Sequence, residues 1–376
     1  MGENDIEWIN LSYANIATTS PGAYKENLEW SNSLASSGAA KFDGESEKNA
    51  MIPLRKSASN LLNCDMKDIC VGSSATELLC SLAWAIAPRK GSNIVSTKAS
   101  FPSTVYPWTR VSMEFGSDIR LANHDDDNYT QPEDILNLID SDTAVVTISH
   151  VEYVNGQRYD LNLFSNAAHE VGALLIVDAT QSMGVFPLDV QNMNIDALVS
   201  SGYKWLRGSF GAAVGYISPH LQSSLIPGLL GFRSHNDIWD MQAERLELPD
   251  DASRFEFSTI HFGSALGLSK SIDEICYFGI EKVWQHSLKL TEMIISECDD
   301  LNLSIASPRG ESERSAIISI RIPSKFNAGN VVRILQEDYG VLVTSRSGFI
   351  RVSPHMDNTI DQISFLMTSL KTILDL

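Results

Sequence analysis

Three side chains that could act together on one ligand lie near the middle of the chain. Asp178 and Gln181 lie at the end of the segment "LLIVDATQ", and Lys204 follows the next apolar segment in "SSGYKW". A lone aspartate at such a place would more often be the N-cap of a helix. Here two successive strand-like segments end in polar residues, and the carboxyl ends of neighbouring parallel strands meet at the same edge of a sheet. The spacing therefore predicts that Asp178, Gln181 and Lys204 converge on one ligand.

Another polar segment, "VGSSATELL" at residues 71–79, has the features of an anion site. Small residues followed by Thr76 and Glu77 at a helix start offer free backbone N–H groups and a hydroxyl, which suit a phosphate. By itself, a Ser or Thr cap before a helix is common for structural reasons. Together with Asp178 and Lys204, the segment indicates a ligand that combines a phosphate, an aromatic cation and a carbonyl group. Pyridoxal phosphate has all three.

The elements that must position these residues alternate between short apolar segments and longer amphipathic ones. The segments predicted as strands are 92–97, 143–149, 173–178 and 196–201. The amphipathic segments predicted as helices include 131–140 and 161–172. This alternation favours βαβ units and a mostly parallel sheet over an antiparallel α+β arrangement.

After about residue 260 the pattern changes. A long helical segment at 263–300 is followed by short apolar strands and a closing helix. We therefore predict a large α/β cofactor-binding domain at 15–260 and a small α+β domain formed by residues 1–14 together with 261–376. A chain of 376 residues is long enough for two hydrophobic cores.

The composition argues against several classes of protein. A formal charge of −19, with 28 scattered Lys and Arg residues, disfavours nucleic-acid binding. Five cysteines without close-paired spacing predict neither a disulfide framework nor a metal site. The sequence contains no secretion-signal pattern and no apolar run near the roughly 20 residues of a membrane span. These features predict a cytoplasmic protein without a membrane association.

The segment 176–218 contains the motifs Asp-x-x-Gln and Ser-Gly-x-Lys in "IVDATQ" and "SGYK". It resembles the corresponding segment of the class V aminotransferases, the pyridoxal-phosphate enzymes that include cysteine desulfurases, selenocysteine lyases, kynureninases and isopenicillin N epimerase-like proteins. The resemblance extends from "NLSYANIATTSPG" to "IRVSPHMDNTIDQI" and so covers nearly the whole chain. It implies the α/β fold of fold type I pyridoxal-phosphate enzymes.

Carried to the matching positions, the resemblance implies chemical roles for the three central residues. Lys204 would form the aldimine with the cofactor and then act as the base at the substrate Cα. A lysine reacts only when neutral, so its pKa must be lowered by burial or by a neighbouring positive charge. Asp178 would pair with the pyridinium nitrogen and make the ring an electron sink. Gln181 would donate to the ring oxygen.

The resemblance also implies how the rest of the cofactor is held. Its phosphate would be bound by the Ala75 amide, Thr76, Ser201 and Tyr203. Phe101 would stack on the ring, with packing in the core as the competing explanation. Phe101 and Tyr203 are similar to the kynureninase residues, because desulfurases have histidine at both positions.

Substrate and subunit contacts are implied by three further segments. Arg351 resembles the arginine that binds the substrate carboxylate through a fork of donors, with Arg346 as a second candidate for that role and an edge-strand surface position as the alternative. Tyr153 would lie near the substrate. "RFEFSTIHFG" matches a segment that crosses a homodimer, so Thr259 would contact the phosphate in the other subunit's site. The resemblance thus implies a homodimer with shared active sites.

The reaction stays open between several alternatives. Desulfurases carry a nucleophilic cysteine on the loop before the carboxylate arginine, whereas "SGFI" separates Arg346 from Arg351 here. We therefore expect a lyase that cleaves at Cβ of an amino acid, at a C–S or C–C bond, without a cysteine nucleophile. The alternatives are a class V aminotransferase that passes the amino group to a keto acid, an amino-acid epimerase and, in another class, a non-catalytic cofactor-binding regulator.

Overall fold

The structure is a computed structural model that describes residues 8–376. Its strands are β1 (Ile9–Asn10), β2 (Ile69–Gly72), β3 (Asn93–Thr97), β4 (Asp118–Ala122), β5 (Thr143–Ser149), β6 (Leu174–Asp178), β7 (Ala197–Ser201), β8 (Ala213–Ile217), β9 (Ile318–Ile320), β10 (Val341–Leu342), β11 (Thr344–Arg346) and β12 (Phe349–Val352). Its α-helices are α1 (Pro21–Ser37), α2 (Gly44–Asn49), α3 (Ile52–Leu62), α4 (Ala75–Ile86), α5 (Pro102–Phe115), α6 (Pro132–Leu136), α7 (Leu161–Glu170), α8 (Pro219–Gln222), α9 (Phe262–Phe278), α10 (Ile280–Asp300), α11 (Ala328–Tyr339) and α12 (Ile360–Leu374).

A seven-stranded sheet in the order β2-β8-β7-β6-β5-β3-β4 forms the centre of the molecule. Strands β4, β3, β5, β6 and β7 are parallel, as the sequence predicts. Strand β8 runs antiparallel to both of its neighbours, β7 and β2. The α/β fold with a mostly parallel sheet is therefore confirmed, and the antiparallel β8 is an addition that the sequence did not indicate.

Strands β3, β5, β6 and β7 are buried along nearly their whole length because both faces of the sheet are covered by helices, whereas the edge strand β4 is partly exposed. In β6, Leu175 and Val177 face one core, to which α3, α7 and α9 contribute, while Ile176 faces a second core with α4 and α5. Strands buried on both faces lose the apolar/polar alternation of a half-exposed strand. This arrangement leaves the carboxyl ends of β6 and β7 at one edge, next to the N-terminus of α4.

A smaller α+β unit packs beside the large sheet. Its antiparallel sheet has the order β11-β12-β9, and β10 pairs in parallel with β1 from the start of the chain. Its core combines Leu11 with apolar side chains of α10, α11, α12 and the small sheet. Residues 9–11 thus contribute to this unit, whereas Tyr13 and Ala14 pack in the core of the seven-stranded sheet. Residues 1–7 of the predicted 1–14 segment lie outside the described residues.

The helical segment predicted at 263–300 is two helices rather than one. Gly279 separates α9 from α10 with φ 96°, a backbone conformation that favours glycine. Ala265, Leu268 and Ile272 of α9 pack into the core of the seven-stranded sheet. The domain limits stay a prediction, and we propose Gly279 in place of residue 261 as the boundary.

Candidate active site

A cavity lies at the carboxyl ends of β6 and β7, with a volume of about 430 Å³ when the space open to solvent is included, and we call it the inner chamber. Most of its lining comes from residues that the sequence predicts as site residues: Ala75, Thr76, Phe101, Tyr153, Asp178, Gln181, Ser201, Tyr203 and Lys204. The lining residues that the sequence did not indicate are Ser103, Ser149, Val151 and Thr180. The predicted convergence of Asp178, Gln181 and Lys204 is thus found in the structure.

Asp178 ends β6 and is held rigidly at the floor of the inner chamber. Its Oδ2 accepts a hydrogen bond from Thr104 Oγ1 at 3.1 Å, and its Oδ1 accepts one from the Thr180 amide at 2.9 Å. The residue is only 5% exposed. A buried carboxylate oriented by two donors can pair strongly with a cationic ring nitrogen.

Lys204 follows β7 and its amine lies in a buried position facing both Phe101 and Tyr203. The Nζ atom is 5.6 Å from the centre of the Phe101 ring and 5.9 Å from that of Tyr203. Burial lowers the pKa of the Lys204 amine to about 8, although Asp178 acts in the opposite direction. A sizeable neutral fraction near pH 8 gives this amine the nucleophilic character that a Schiff-base lysine needs.

The turn that carries Lys204 depends on Gly202. A Cβ atom at this position would lie 2.7 Å from Leu268 Cδ2 on α9 and 2.9 Å from the Ala212 carbonyl oxygen. Only a residue without a side chain therefore fits between β7 and α9. The glycine of the Ser-Gly-x-Lys motif is explained by packing.

The opposite end of the inner chamber is formed by the N-terminus of α4. The first amides of a helix have no partners within the helix, and they carry a partial positive charge. The Ala75 amide donates to Ser201 Oγ at 3.3 Å, and Thr76 Oγ1 donates to Ser103 Oγ at 2.9 Å. These hydroxyls and amides can bind a phosphate, as predicted from the segment 71–79.

Aromatic rings form the wall of the inner chamber. Phe101 is 41% exposed, so core packing does not explain it. The Tyr153 ring packs edge-on against Phe101 with 5.3 Å between the ring centres. Tyr203 stacks on Phe210 with 4.4 Å between centres. Phe101 thus stands at the mouth of the chamber, where it can cover a flat ring.

A second cavity, which we call the outer chamber, continues from the inner one towards the small unit. Its lining residues are Ala14, Asn15, Ile16, Phe101, Tyr153, Gln181, Tyr203, Lys204, Phe210, Arg346 and Arg351. The structure therefore brings both arginine candidates to the same space. Five residues line both chambers: Gln181, Lys204 and the aromatic residues Phe101, Tyr153 and Tyr203.

Arg351 occupies the middle strand of the small sheet and is only 1% exposed. The alternative of an edge-strand surface arginine is therefore wrong. Its Nε donates to Thr344 Oγ1 at 3.2 Å, and its Nη1 donates to the Tyr153 carbonyl oxygen at 2.5 Å. Burial lowers the pKa of Arg351 to about 9, and the charge of Arg346 acts in the same direction.

Gln181 is held differently from what the resemblance implies. Its Nε2 donates to the Ala14 carbonyl oxygen at 3.0 Å, and its Oε1 accepts from Trp205 Nε1 at 2.8 Å. Only the second N–H of the amide is left to donate to a ring oxygen. Gln181 therefore links the start of the chain to the Lys204 turn as well as lining the cavity.

Thr259 lies apart from both chambers and is exposed. Its predicted contact requires a second copy of the chain, so it stays a prediction.

No cysteine of the described residues lines either chamber. Burial raises the pKa of each of the five thiols, to about 12 for Cys64 and Cys298. Strands β11 and β12 are joined by a two-residue turn, Ser347 and Gly348, with φ 48° and 84°. Such a tight hairpin has no room for a loop that could bring a reactive side chain into the cavity.

Besides the four lining residues of the inner chamber that the sequence did not indicate, two residues that support the site, Thr104 and Glu152, were missed at the level of sequence. Thr104 has no distinguishing signal within the helix pattern of α5. Glu152 does have one, because an acidic residue in the apolar segment "SHVEYV" requires a partner when buried. Its Oε1 accepts from Ser100 Oγ at 2.9 Å, and burial raises the pKa of its carboxyl group to about 8. Because Ser100 and Glu152 precede Phe101 and Tyr153, this hydrogen bond joins the two segments that form the aromatic wall.

The donor set of the inner chamber fits pyridoxal phosphate on structural grounds alone. A buried carboxylate at one end suits the pyridinium nitrogen, and the N-terminus of α4 suits the phosphate. Lys204 lies beside the aromatic face of Phe101 between these ends.

Comparison with known proteins agrees with this fit. The family model "Aminotransferase class-V" matches residues 21–370. A probable cysteine desulfurase of Methanothermobacter thermautotrophicus is 27% identical over 335 residues, covering 85% of this chain and 82% of that protein. A kynureninase of Pseudomonas fluorescens is 27% identical over 240 residues, covering 62% of this chain and 56% of that protein.

Solved structures share the fold over nearly the whole chain. The apo cysteine desulfurase of Thermococcus onnurineus NA1 has a TM-score of 0.87 at 21% identity and covers 100% of both chains. The cystine C–S lyase C-DES, in complex with its reaction product cysteine persulfide, has a TM-score of 0.88 at 18% identity and covers 97% of both chains. The predicted fold type, the enzyme class and the cofactor are thereby confirmed. The chain belongs to the class V aminotransferases, a family of pyridoxal-phosphate-dependent enzymes.

Proposed function

We propose that the protein is a lyase that cleaves the Cβ–S bond of a cysteine-type amino acid without a cysteine nucleophile. The names of the relatives support a C–S substrate, since they include cysteine desulfurases and a cystine C–S lyase. The observation that carries the proposal is the tight β11–β12 turn of Ser347 and Gly348, together with the absence of cysteine from the described lining of both chambers. A persulfide relay therefore has no thiol to use.

Bound pyridoxal phosphate would supply the electron sink that stabilises negative charge at the substrate Cα. It would be held by Asp178 at the ring nitrogen and by Thr76, Ser201 and the α4 amides at the phosphate. Phe101 would cover the ring and exclude water from one face. Arg351 would fix the substrate carboxylate through its open guanidinium edge, as its other donors are used by Thr344 and Tyr153.

Lys204 performs the proton transfer in this proposal. Its neutral amine takes the proton from Cα, the electrons of the Cα–H bond form a Cα=Cβ bond, and the Cβ–S bond breaks with its electron pair on sulfur. The sulfur leaves as a thiolate and takes a proton. The released enamine tautomerises and reacts with water to give a keto acid and ammonia.

We also propose a homodimer in which Thr259 contacts the phosphate bound in the other subunit. The exposure of Thr259 and its distance from the chambers of its own chain support this arrangement. A Thr259→Ala variant should weaken cofactor binding without altering the mass of the dimer. A monomeric protein of full activity would contradict the arrangement.

The test of the reaction uses the purified holoenzyme with L-cystine or S-alkyl-L-cysteines and no keto-acid acceptor. Continuous formation of keto acid and ammonia in equal amounts supports the lyase. A visible band that is lost once, without ammonia, supports the aminotransferase instead.

A variant with all five cysteines replaced by alanine or serine is the matched test of the thiol-free mechanism. We expect it to keep its turnover, provided that its circular dichroism shows an intact fold. Loss of turnover in a folded variant would show that a thiol takes part.

A further inference from the structure

The outer chamber has an unusual balance of charge. Among residues 8–376, its lining contains three cationic side chains, Lys204, Arg346 and Arg351, and no aspartate or glutamate. Lys204 has the role of the base at Cα in the proposed function, which leaves two guanidinium groups facing the space for the substrate. We propose that Arg351 and Arg346 bind two separate anionic groups, so that the preferred substrate is an amino acid with a second acidic group on its leaving part.

The strand register makes the two arginines neighbours on the small sheet, although they do not lie directly opposite each other. Arg351 lies opposite Thr344 in the antiparallel pair of β11 and β12, and Arg346 is two residues further along β11. Alternate residues of a strand share one face, so Arg346 and Arg351 are diagonal neighbours on the same face of the small sheet. Such diagonal neighbours lie roughly 7–8 Å apart, and their Cβ atoms are somewhat closer. That spacing suits two acidic groups separated by several bonds.

The two guanidinium groups are anchored in different directions. Arg351 donates to the Tyr153 carbonyl oxygen, which belongs to the large unit beside the inner chamber. Arg346 donates from Nη2 to Asn15 Oδ1 at 3.0 Å and from Nη1 to the Ser345 carbonyl oxygen at 2.9 Å. These partners hold Arg346 towards the segment before α1. The geometry thus supports one anion site near Lys204 and a second one towards Asn15.

The partners of both arginines are neutral. Within residues 8–376 neither guanidinium has a carboxylate at ion-pair distance, whereas the half-hidden Arg55 is paired with Glu256. Burial, and secondly the charge of Arg346, lower the pKa of Arg351, so the cationic form of Arg351 is disfavoured in this cavity. Cations held together in a partly buried cavity without anions carry a cost in free energy. A ligand with two negative groups removes that cost, and a ligand with one removes only part of it.

This inference rests on the proposed function only for the position of the second acid on the leaving part. The binding test is independent of the reaction. It compares S-(carboxymethyl)-L-cysteine with S-ethyl-L-cysteine, which lacks the second carboxylate. Succinate and butyrate, which differ in the same way, form a second pair that does not react. Dissociation constants are measured from the visible spectrum of the holoenzyme and by calorimetry, and kcat/KM is measured for the two cysteine derivatives.

We expect the member of each pair that has the additional carboxylate to bind about 10- to 100-fold more tightly than the other member. In Arg346→Gln this ratio should fall to about one. In Arg351→Gln both affinities should fall and the ratio should persist. Asn15→Asp provides a second variant that keeps Arg346 in place but supplies it with an ion-pair partner, and it should also lose the preference. Arg89→Gln removes an exposed arginine and should change neither value.

The outcomes distinguish this inference from the proposed function. If the unmodified protein bound both members of each pair with equal affinity, the inference would be overturned. An equal loss for both ligands in Arg346→Gln would also overturn it, because the two arginines would then bind one carboxylate. Selective binding of the acids without keto-acid formation would support the inference and contradict the proposed elimination.

Discussion

The inner and outer chambers adjoin each other, but the charged side chains that line them have different kinds of partners. In the inner chamber the Asp178 carboxylate is oriented by Thr104 and Thr180 before any ligand arrives. In the outer chamber, the acceptors of Arg346 and Arg351 among residues 8–376 are all neutral. The difference indicates that the inner chamber is preorganised for the cofactor, whereas the positive charges of the outer chamber are balanced only while a substrate is bound.

The largest effect is expected from Lys204, which lines both chambers. Lys204→Ala should reduce keto-acid formation by at least about a thousandfold, because the variant lacks the base that moves the Cα proton. The exposed Lys98→Ala is the matched control and should keep full activity. Turnover that survives in Lys204→Ala would mean that another residue transfers the proton, and it would contradict the role proposed for Lys204 between the two chambers.

A change confined to the inner chamber should come next in size. Asp178→Asn keeps the shape of the side chain but removes its charge, so we expect a loss of about a hundredfold in turnover. Cofactor affinity, measured by titrating the apoprotein, should fall as well. The exposed Asp118→Asn serves as the control. An Asp178→Asn variant with unchanged cofactor affinity would show that no cationic ring nitrogen is bound there.

The orientation of Asp178 can be tested apart from its charge. Thr104→Val removes the hydrogen bond to Oδ2 but leaves the carboxylate in place. We expect turnover to fall about tenfold, because the variant loses a hydrogen bond to a charged group. The visible band of the holoenzyme should shift as well, which a purely structural role would not cause. An effect as large as that of Asp178→Asn would mean that the carboxylate has left its position.

The smallest effect concerns the stability of the segments behind the aromatic wall. Burial raises the pKa of Glu152 from 4.5 to about 8, so between these values the folded protein holds a proton that the unfolded chain has lost. The free energy of unfolding should therefore decrease as the pH rises from 5 to 8. In Glu152→Gln this decrease should be smaller, because the amide has no proton to release.

The measurement is the thermal unfolding midpoint at several pH values. Glu170→Gln, at an exposed position, is the control. Identical pH profiles for the unmodified protein and Glu152→Gln would show that the carboxyl group is ionised throughout.

Much of the inner chamber is predictable from local pattern. Asp178 and Lys204 each follow a short apolar segment, and an element buried on both faces is apolar along its whole length. Once such segments are assigned to parallel strands, their carboxyl ends must meet at one edge, so the convergence of these residues follows. The helix start at Thr76 is likewise a local signal.

The remainder depends on contacts between residues that are far apart in the chain. Arg346 meets Asn15 across 331 positions, and Arg351 reaches the Tyr153 carbonyl oxygen across 198. The buried position of Arg351, the antiparallel β8 and the change of helix at Gly279 likewise depend on how the two cores pack. The sequence by itself determined the mostly parallel sheet, the cofactor and the position of Lys204 at the carboxyl end of a strand, because local periodicity and motif spacing encode them. Only the tertiary structure decided that two arginines share one chamber with no acid among the described lining residues, since charge balance in a cavity arises from elements that are far apart in the chain.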